Sequence, residues 1–261
     1  MSIFYRPDLN WNNKSSTWYS FELFNKGNIV KSIYQFLGAS TITVACLTSA
    51  NAQSKFDGFF GQLGVGYENV SPTVTPSPLA VYGLGNYATT STVSSQSGFV
   101  GTATVGFYAP VSPDFLLGVG AEYSPFKLSS GTQSWTVYGN GSATANGTWQ
   151  LQNSYNIYVS PATPVGTDGL LYGKVGYTGA QIQASLGSNS PNTTNYTGYS
   201  LGAGYKQIIS GGLYGFGEFN YFKYGNQTTT TTGNIAGYSA AASWTSSANA
   251  YNLIFGIGYK F

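Results

Sequence analysis

From about residue 59 to the end, apolar and polar positions alternate with a period of two. They do so in eight separate runs: roughly 59–70, 98–109, 115–126, 148–160, 170–182, 197–208, 213–224 and 249–261. Alternation at that period marks strands whose two faces meet different surroundings. In the last run Tyr251, Leu253, Phe255, Ile257, Tyr259 and Phe261 share one side, against Asn252, Ile254, Gly256, Gly258 and Lys260. In the first, Phe59, Leu63, Val65 and Tyr67 oppose Phe60, Gln62, Gly64, Gly66 and Glu68. In the fourth, Trp149, Leu151, Tyr155, Ile157 and Val159 oppose Gln150, Gln152, Ser154, Asn156 and Ser160. Each run has the length that a tilted strand needs to cross a bilayer.

The connections alternate too. Short ones, rich in Pro, Gly and Asp, fall at Pro110–Asp114, Pro161–Gly169 and Ile209–Gly212, while long ones of Ser, Thr, Asn and Gly run through 71–97, 127–147, 183–196 and 225–248. Short turns at one end and long loops at the other predict an all-β fold: an eight-stranded antiparallel up-and-down transmembrane β-barrel. Both chain ends would then lie on the short-turn, periplasmic side, with four long extracellular loops opposite. A soluble β-sandwich also alternates, but its solvent face would carry charge, and here each run holds at most one charge on its polar side.

Ahead of the strands, residues 30–52 read as a secretory signal peptide. Lys31 precedes an apolar, small-residue run from about Phe36 to Leu47, and Ala50-Asn51-Ala52 stands before Gln53 as an A-x-A cleavage site. The site is therefore expected at Ala50, Ala52 and Gln53, leaving 53–261 as the barrel domain. Cys46 would suit a lipoprotein, but Thr43-Val44-Ala45 is a poor lipobox. Residues 1–29 hold no periodic pattern; they read as a gene-model extension upstream of Val30 or as an extended signal region.

Composition narrows the chemistry. Only 7% of residues are charged, 16% are aromatic and 35 are glycine. From Gln53 onward six lysines (Lys55, Lys127, Lys174, Lys206, Lys223, Lys260) balance six acids (Asp57, Glu68, Asp114, Glu122, Asp168, Glu218). No basic patch remains to neutralise phosphates, so nucleic acid is not expected as a partner. With one cysteine and no histidine, neither a thiolate metal cluster nor the most frequent general base can be built. No cofactor is expected. The recurring pairs Gly64/Gly66, Gly118/Gly120, Gly202/Gly204 and Gly256/Gly258 lack the following helix of a phosphate-binding loop. Spaced by two, they face one way, and they make room in a narrow barrel for bulky neighbours.

The patterns SGFVGTATVGFY and YSLGAGYKQIISGGLYGFGEFNYFKYG, with the ending YNLIFGIGYKF, resemble the small outer-membrane β-barrel proteins of Gram-negative bacteria. These are the OmpA/OmpX-like and opacity-protein-like superfamily, and the resemblance covers about residues 56–261. It implies residence in the cell outer membrane, among lipid and lipopolysaccharide. It also implies delivery by periplasmic chaperones to the outer-membrane assembly machinery, which would engage Leu253, Phe255, Ile257, Tyr259 and Phe261 as a C-terminal signal. Enzymes of this kind rely on histidine, so their arrangements cannot be carried over and no enzyme is expected.

The remaining candidates follow from parity. Glu68, Glu122, Glu218, Lys174, Lys206 and Lys260 should face the lumen, three of each sign, with Lys174, Lys206 and Glu218 on consecutive strands as the leading pairing set. Buried charges persist when paired. Lys127 and Lys223 share parity with Tyr123 and Tyr221 and should reach lipid head groups at the outer rim. The expected role is structural and surface interaction through the loops, whose ligand the sequence does not specify. A narrow passive pore for small solutes is the alternative.

Overall fold

A computed structural model of the chain describes residues 54–139, 142–186, 191–235 and 237–261. The expected signal peptide, with its cleavage site at Ala50, Ala52 and Gln53, lies outside the described residues. Eight long strands follow one another: β1 (Gly58–Pro76), β2 (Gln96–Ser112), β3 (Phe115–Ser124), β4 (Ser142–Val165), β5 (Gly169–Leu186), β6 (Asn192–Ser210), β7 (Leu213–Ile235) and β8 (Tyr238–Lys260). Each pairs antiparallel with the next. β1 pairs with β8 from Phe60↔Lys260 to Pro76↔Trp244 and closes the ring. Closure leaves none of these eight long strands at an edge, so each is paired on both sides within the wall.

The turns are tighter than the Pro/Gly pattern predicts. β2 runs on to Ser112, β4 to Val165 and β6 to Ser210 before the chain reverses. Prolines are tolerated there because the ladder adjusts around them. The β4–β5 pairing skips 160–161 against 173–174, where Pro161 has no N–H to give. The Ser160 hydroxyl donates instead to the Gly173 carbonyl at 2.8 Å. Pro125, in turn, ends β3 at Ser124, short of the predicted residue 126.

The four segments expected as loops are largely strand. The β7–β8 ladder continues to Ile235↔Tyr238, and shorter strands at Leu79–Val81, Gly85–Tyr87, Thr89–Thr92, Leu128–Ser129 and Gln133–Tyr138 occupy the first two. Threonine is β-branched and favours strands. Here its hydroxyls pair across the ladder, Thr228 with Thr245 at 2.9 Å and Thr230 with Ser243 at 2.8 Å. A run of Thr228–Thr232 has no apolar/polar alternation, yet it suits a hairpin with water on both faces.

Parity holds through β1 and β8 but reverses in β4. Tyr155, Ile157 and Val159 face outward as expected, whereas Trp149 and Leu151 are buried inside. The cause is a bulge: the β4–β5 register shifts between Gly179 and Gln181. Asn153, opposite it, adopts a positive φ of 53°, a conformation asparagine tolerates better than most residues. Its amide donates to Gln181 at 2.7 Å and accepts from the Tyr123 hydroxyl at 3.1 Å. One extra residue turns every side chain above it to the opposite face.

Aromatic rings fill the lower lumen, and glycine makes that possible. Phe60 stands opposite Gly106, Tyr108 opposite Gly118, Tyr158 opposite Gly120, Tyr172 opposite Gly204, and Phe216 and Tyr214 opposite Gly256 and Gly258. A Cβ on Gly120, for instance, would overlap the Tyr158 ring. The outer wall presents Val65, Val105, Val119, Ile157, Val175, Leu201, Phe219 and Phe255, one from each strand and all exposed. Such a continuous apolar belt far exceeds the patches that soluble monomers expose, and it suits hydrocarbon.

Candidate functional site

The lumen is layered. At the short-turn end, Phe56, Phe60, Tyr108, Leu116, Leu170, Tyr172, Tyr214 and Phe216 form one buried apolar cluster. Toward the long-loop end, Val70, Leu128, Trp149, Leu151, Tyr196, Phe222 and Tyr224 belong to a second. Between them lies a band of buried polar and charged groups, among them Glu68, Glu122, Asn156, Lys174, Glu218, Asn220 and Asn252.

Lys174 is the centre of that band. Its ammonium donates to Glu218 Oε1 at 2.8 Å and to Glu122 Oε2 at 3.1 Å, with the Tyr158 ring centroid 4.3 Å away. The Tyr172 hydroxyl donates to Glu218 Oε2 at 2.7 Å, and Asn220 Nδ2 donates to Glu218 Oε1 at 2.7 Å. Thr104 donates to Glu122 Oε2 at 3.4 Å. The bridge spans three strands that are not neighbours: β3, β5 and β7. Local sequence allows it. Lys174 stands opposite Gly202 on β6, and Glu218 opposite Gly204, so the two side chains meet across a strand that offers them no bulk.

Lys206 does not join this cluster, contrary to its place in the expected pairing set. Its register partners are Leu170 on β5 and Phe216 on β7, which set it in the aromatic layer. The ammonium lies 3.6 Å from the Phe60 ring centroid, 5.0 Å from that of Tyr214, and 5.2 Å from those of Tyr108 and Tyr172. Among the described residues it has no ion pair. Four ring faces supply the attraction a carboxylate would have given. Lys260 also departs from the expected balance: it is half-buried at the short-turn rim, beside the Gly58 backbone. Inside the lumen proper stand three glutamates and two lysines, not three of each.

Sequence reasoning missed the closure of the short-turn mouth. Phe56, only 3% exposed, enters the barrel and meets the Tyr214 ring edge-on at 6.0 Å. Its neighbour Lys55 reaches Asp168 in the β4–β5 turn, across the ring from β1, at 2.6 Å. That ammonium holds the Asp168 carboxyl below the usual carboxylate range. The one available signal was an apolar Phe56 between Lys55 and Asp57, outside any alternating run.

On the outer surface, Leu253, Phe255, Ile257, Tyr259 and Phe261 are all exposed along one side of β8, Phe261 by 76%. Lys127 and Lys223 are exposed as well. Lys223 stands on β7, but Lys127 follows the end of β3, so strand parity does not set its direction. Phe126 beside it folds back against Gly101 on the outer face of β2.

No family model matches the sequence, and no curated protein matches it. Solved structures do. The outer membrane protein OprG of Pseudomonas aeruginosa is similar over 81% of this chain and 99% of its own, with a TM-score of 0.53 at 16% identity. The outer membrane protease OmpT of Escherichia coli is similar over 81% and 99%, with a TM-score of 0.46 at 8% identity. Neisserial surface protein A follows over 78% and 98%, with a TM-score of 0.41 at 13% identity. At these identities the likeness is one of fold. The closed ring, the apolar belt and the likeness to OprG agree: the chain is an eight-stranded up-and-down barrel with the fold of the small outer-membrane β-barrel proteins.

Proposed function

We propose that the protein is an integral barrel of a Gram-negative outer membrane, exported by its leader and non-catalytic. Its role is structural, with surface interaction carried by the long-loop end. One observation carries this reading: the lumen is filled along its length. A salt-bridged polar band lies between two apolar clusters, so among the described residues the interior is plugged at three levels and shows no continuous open path. Interaction then belongs to the outer surfaces. The β7–β8 hairpin and the short strands of the first two loops present Ser, Thr, Asn and Tyr, with Lys127 their one charge in 71–97, 127–147 and 225–248. In this reading lipid surrounds the belt, and Lys127 and Lys223 meet lipopolysaccharide head groups. Periplasmic chaperones deliver the chain, and the assembly machinery engages β8 together with the Phe261 that follows it. Planar-bilayer recording of the refolded protein tests the closed lumen: a silent membrane is expected, and stable conductance steps would favour the pore.

A further inference from the structure

The strand pairs of the ring are not alike. Each long strand is joined to the next by the chain itself, but no turn joins β1 to β8, the first and the last. Strand ends that no turn restrains fray first. At the foot of this seam the Phe261 N–H donates to the Phe59 carbonyl at 2.9 Å. Just ahead of that bond the chain leaves the wall. Gly58 takes a φ of 110°, where a residue with a side chain would be strained. The four residues before it form a turn, in which the Asp57 N–H donates to the Ser54 carbonyl at 3.0 Å and the Phe56 N–H to the Ser54 hydroxyl at 3.3 Å. The turn is anchored twice, and both anchors lie away from the seam. Phe56 is buried in the lower apolar cluster, which draws on all eight strands once Ile208 of β6, packed against it, is included. Lys55 reaches Asp168 between β4 and β5, across the ring.

We propose that the turn Ser54–Asp57 is a clasp that holds the seam between β1 and β8 shut at the short-turn end. Peeling β1 away from β8 there carries Gly58 outward, and Phe56 and Lys55 must then leave their seats. The first opening step therefore exposes a buried phenylalanine in addition to breaking ladder bonds. The seat of Phe56 is built from every strand, so it is complete only once the ring has closed. An interaction that forms so late slows unfolding without speeding folding. A phenylalanine that served only as core would instead support all the strand pairs around the lower lumen alike.

Amide hydrogen exchange of the protein refolded into lipid vesicles separates the two roles. Phe56→Ala should hasten exchange of the amides bonded across the lower seam, that of Phe261 among them, by roughly tenfold or more. Amides bonded between β3 and β4 should be unaffected. Lys55→Ala leaves the core intact and should give the same pattern, confined to the seam, at smaller amplitude. No acceleration at the seam, or an equal one between β3 and β4, would overturn the proposal. A staple across the seam checks it by another route. Leu63 and Ile257 are register partners exposed on the outer wall, so Leu63→Cys with Ile257→Cys, in a chain carrying Cys46→Ser, can join the two strands by a disulfide. With those thiols reduced, Phe56→Ala should raise the unfolding rate in urea about tenfold and leave the folding rate nearly unchanged. With the disulfide formed, the acceleration should disappear. An acceleration that survives the staple, or a folding rate that falls as far as the unfolding rate rises, would show that Phe56 is a core residue and not a clasp.

Discussion

Replacing Lys174 with methionine removes the one ammonium that two buried carboxylates share. Lys174 and its partners Glu122 and Glu218 are each almost fully buried, and the pair distances are 3.1 and 2.8 Å. Breaking a buried pair by deleting one partner typically costs about 3–5 kcal/mol, because an uncompensated charge is left behind. Lys174→Met leaves two such charges, so its loss should lie at the upper end of that range. Glu218→Gln is milder. Lys174 keeps Glu122, and a glutamine oxygen can still accept from Tyr172 or Asn220. The loss is then one hydrogen bond to a charged group, about 1.5–3 kcal/mol. Neutralising all three together, Lys174→Met with Glu122→Gln and Glu218→Gln, leaves no stranded charge from the bridge and should recover most of the loss.

The assay is equilibrium urea unfolding of barrel refolded into lipid vesicles, followed by tryptophan fluorescence. The expected order of midpoints is parent, then the triple variant near it, then Glu218→Gln, then Lys174→Met lowest. A triple variant as unstable as Lys174→Met would show that packing volume, not charge, sets the loss. An unchanged Lys174→Met would show that water reaches the three groups and screens them.

Other perturbations separate other parts of the argument. Gly120→Val drives a side chain into the Tyr158 ring and should cost about 1–3 kcal/mol as overpacking; Tyr158→Ala in the same chain should recover part of it, and additive losses would refute the pairing. Lys55→Ala should lower the urea midpoint at neutral pH but not in strong acid. The Asp168 carboxyl is depressed by Lys55, so its contribution is present above the unfolded value of about 3.9 and is lost as pH falls through the lower folded value. A difference that persists in strong acid would assign the effect to something other than the ion pair. Lys127→Gln with Lys223→Gln should weaken thermal stabilisation of purified barrel by lipopolysaccharide; equal stabilisation would mean that the two ammonium groups are merely hydrated.

Much of the wall was legible because a barrel repeats one rule, apolar out and mixed in, along every strand. β1 and β8 obey it without a break, and their parity places Glu68 and Phe255 correctly on opposite faces. The rule fails where something other than hydrophobicity decides. At Asn153 a single residue in a positive-φ conformation reverses the faces above it, and Trp149 and Leu151 go inward while their apolar character looks the same. In Thr228–Thr232 both faces are wet, so alternation vanishes while the ladder persists. For the charges, parity gave the face but not the level. Lys174 and Lys206 share a face, yet their register partners are Gly202 in one case and Leu170 with Phe216 in the other. Register is a property of paired strands, and one strand's sequence does not contain it.

That dependence on register also explains what a costly buried bridge can do in a chain already rich in apolar surface. Glu122, Lys174 and Glu218 sit on β3, β5 and β7, so no two of them can meet in an isolated hairpin. They come together only when the sheet has curled and the strands between them lie in the right register. A slip of β5 by one residue would turn Lys174 outward, where a lysine in mid-bilayer costs about 2–4 kcal/mol. It would also strand both glutamates inside. A slip by two residues keeps the face but sets Tyr172 or Gly176 in place of Lys174, and the carboxylates are stranded again. The apolar belt cannot make that second distinction, since Val175, Tyr177 and Gly173 would all meet lipid in either register. The bridge therefore adds little net energy to the closed barrel and a large penalty to its misregistered neighbours.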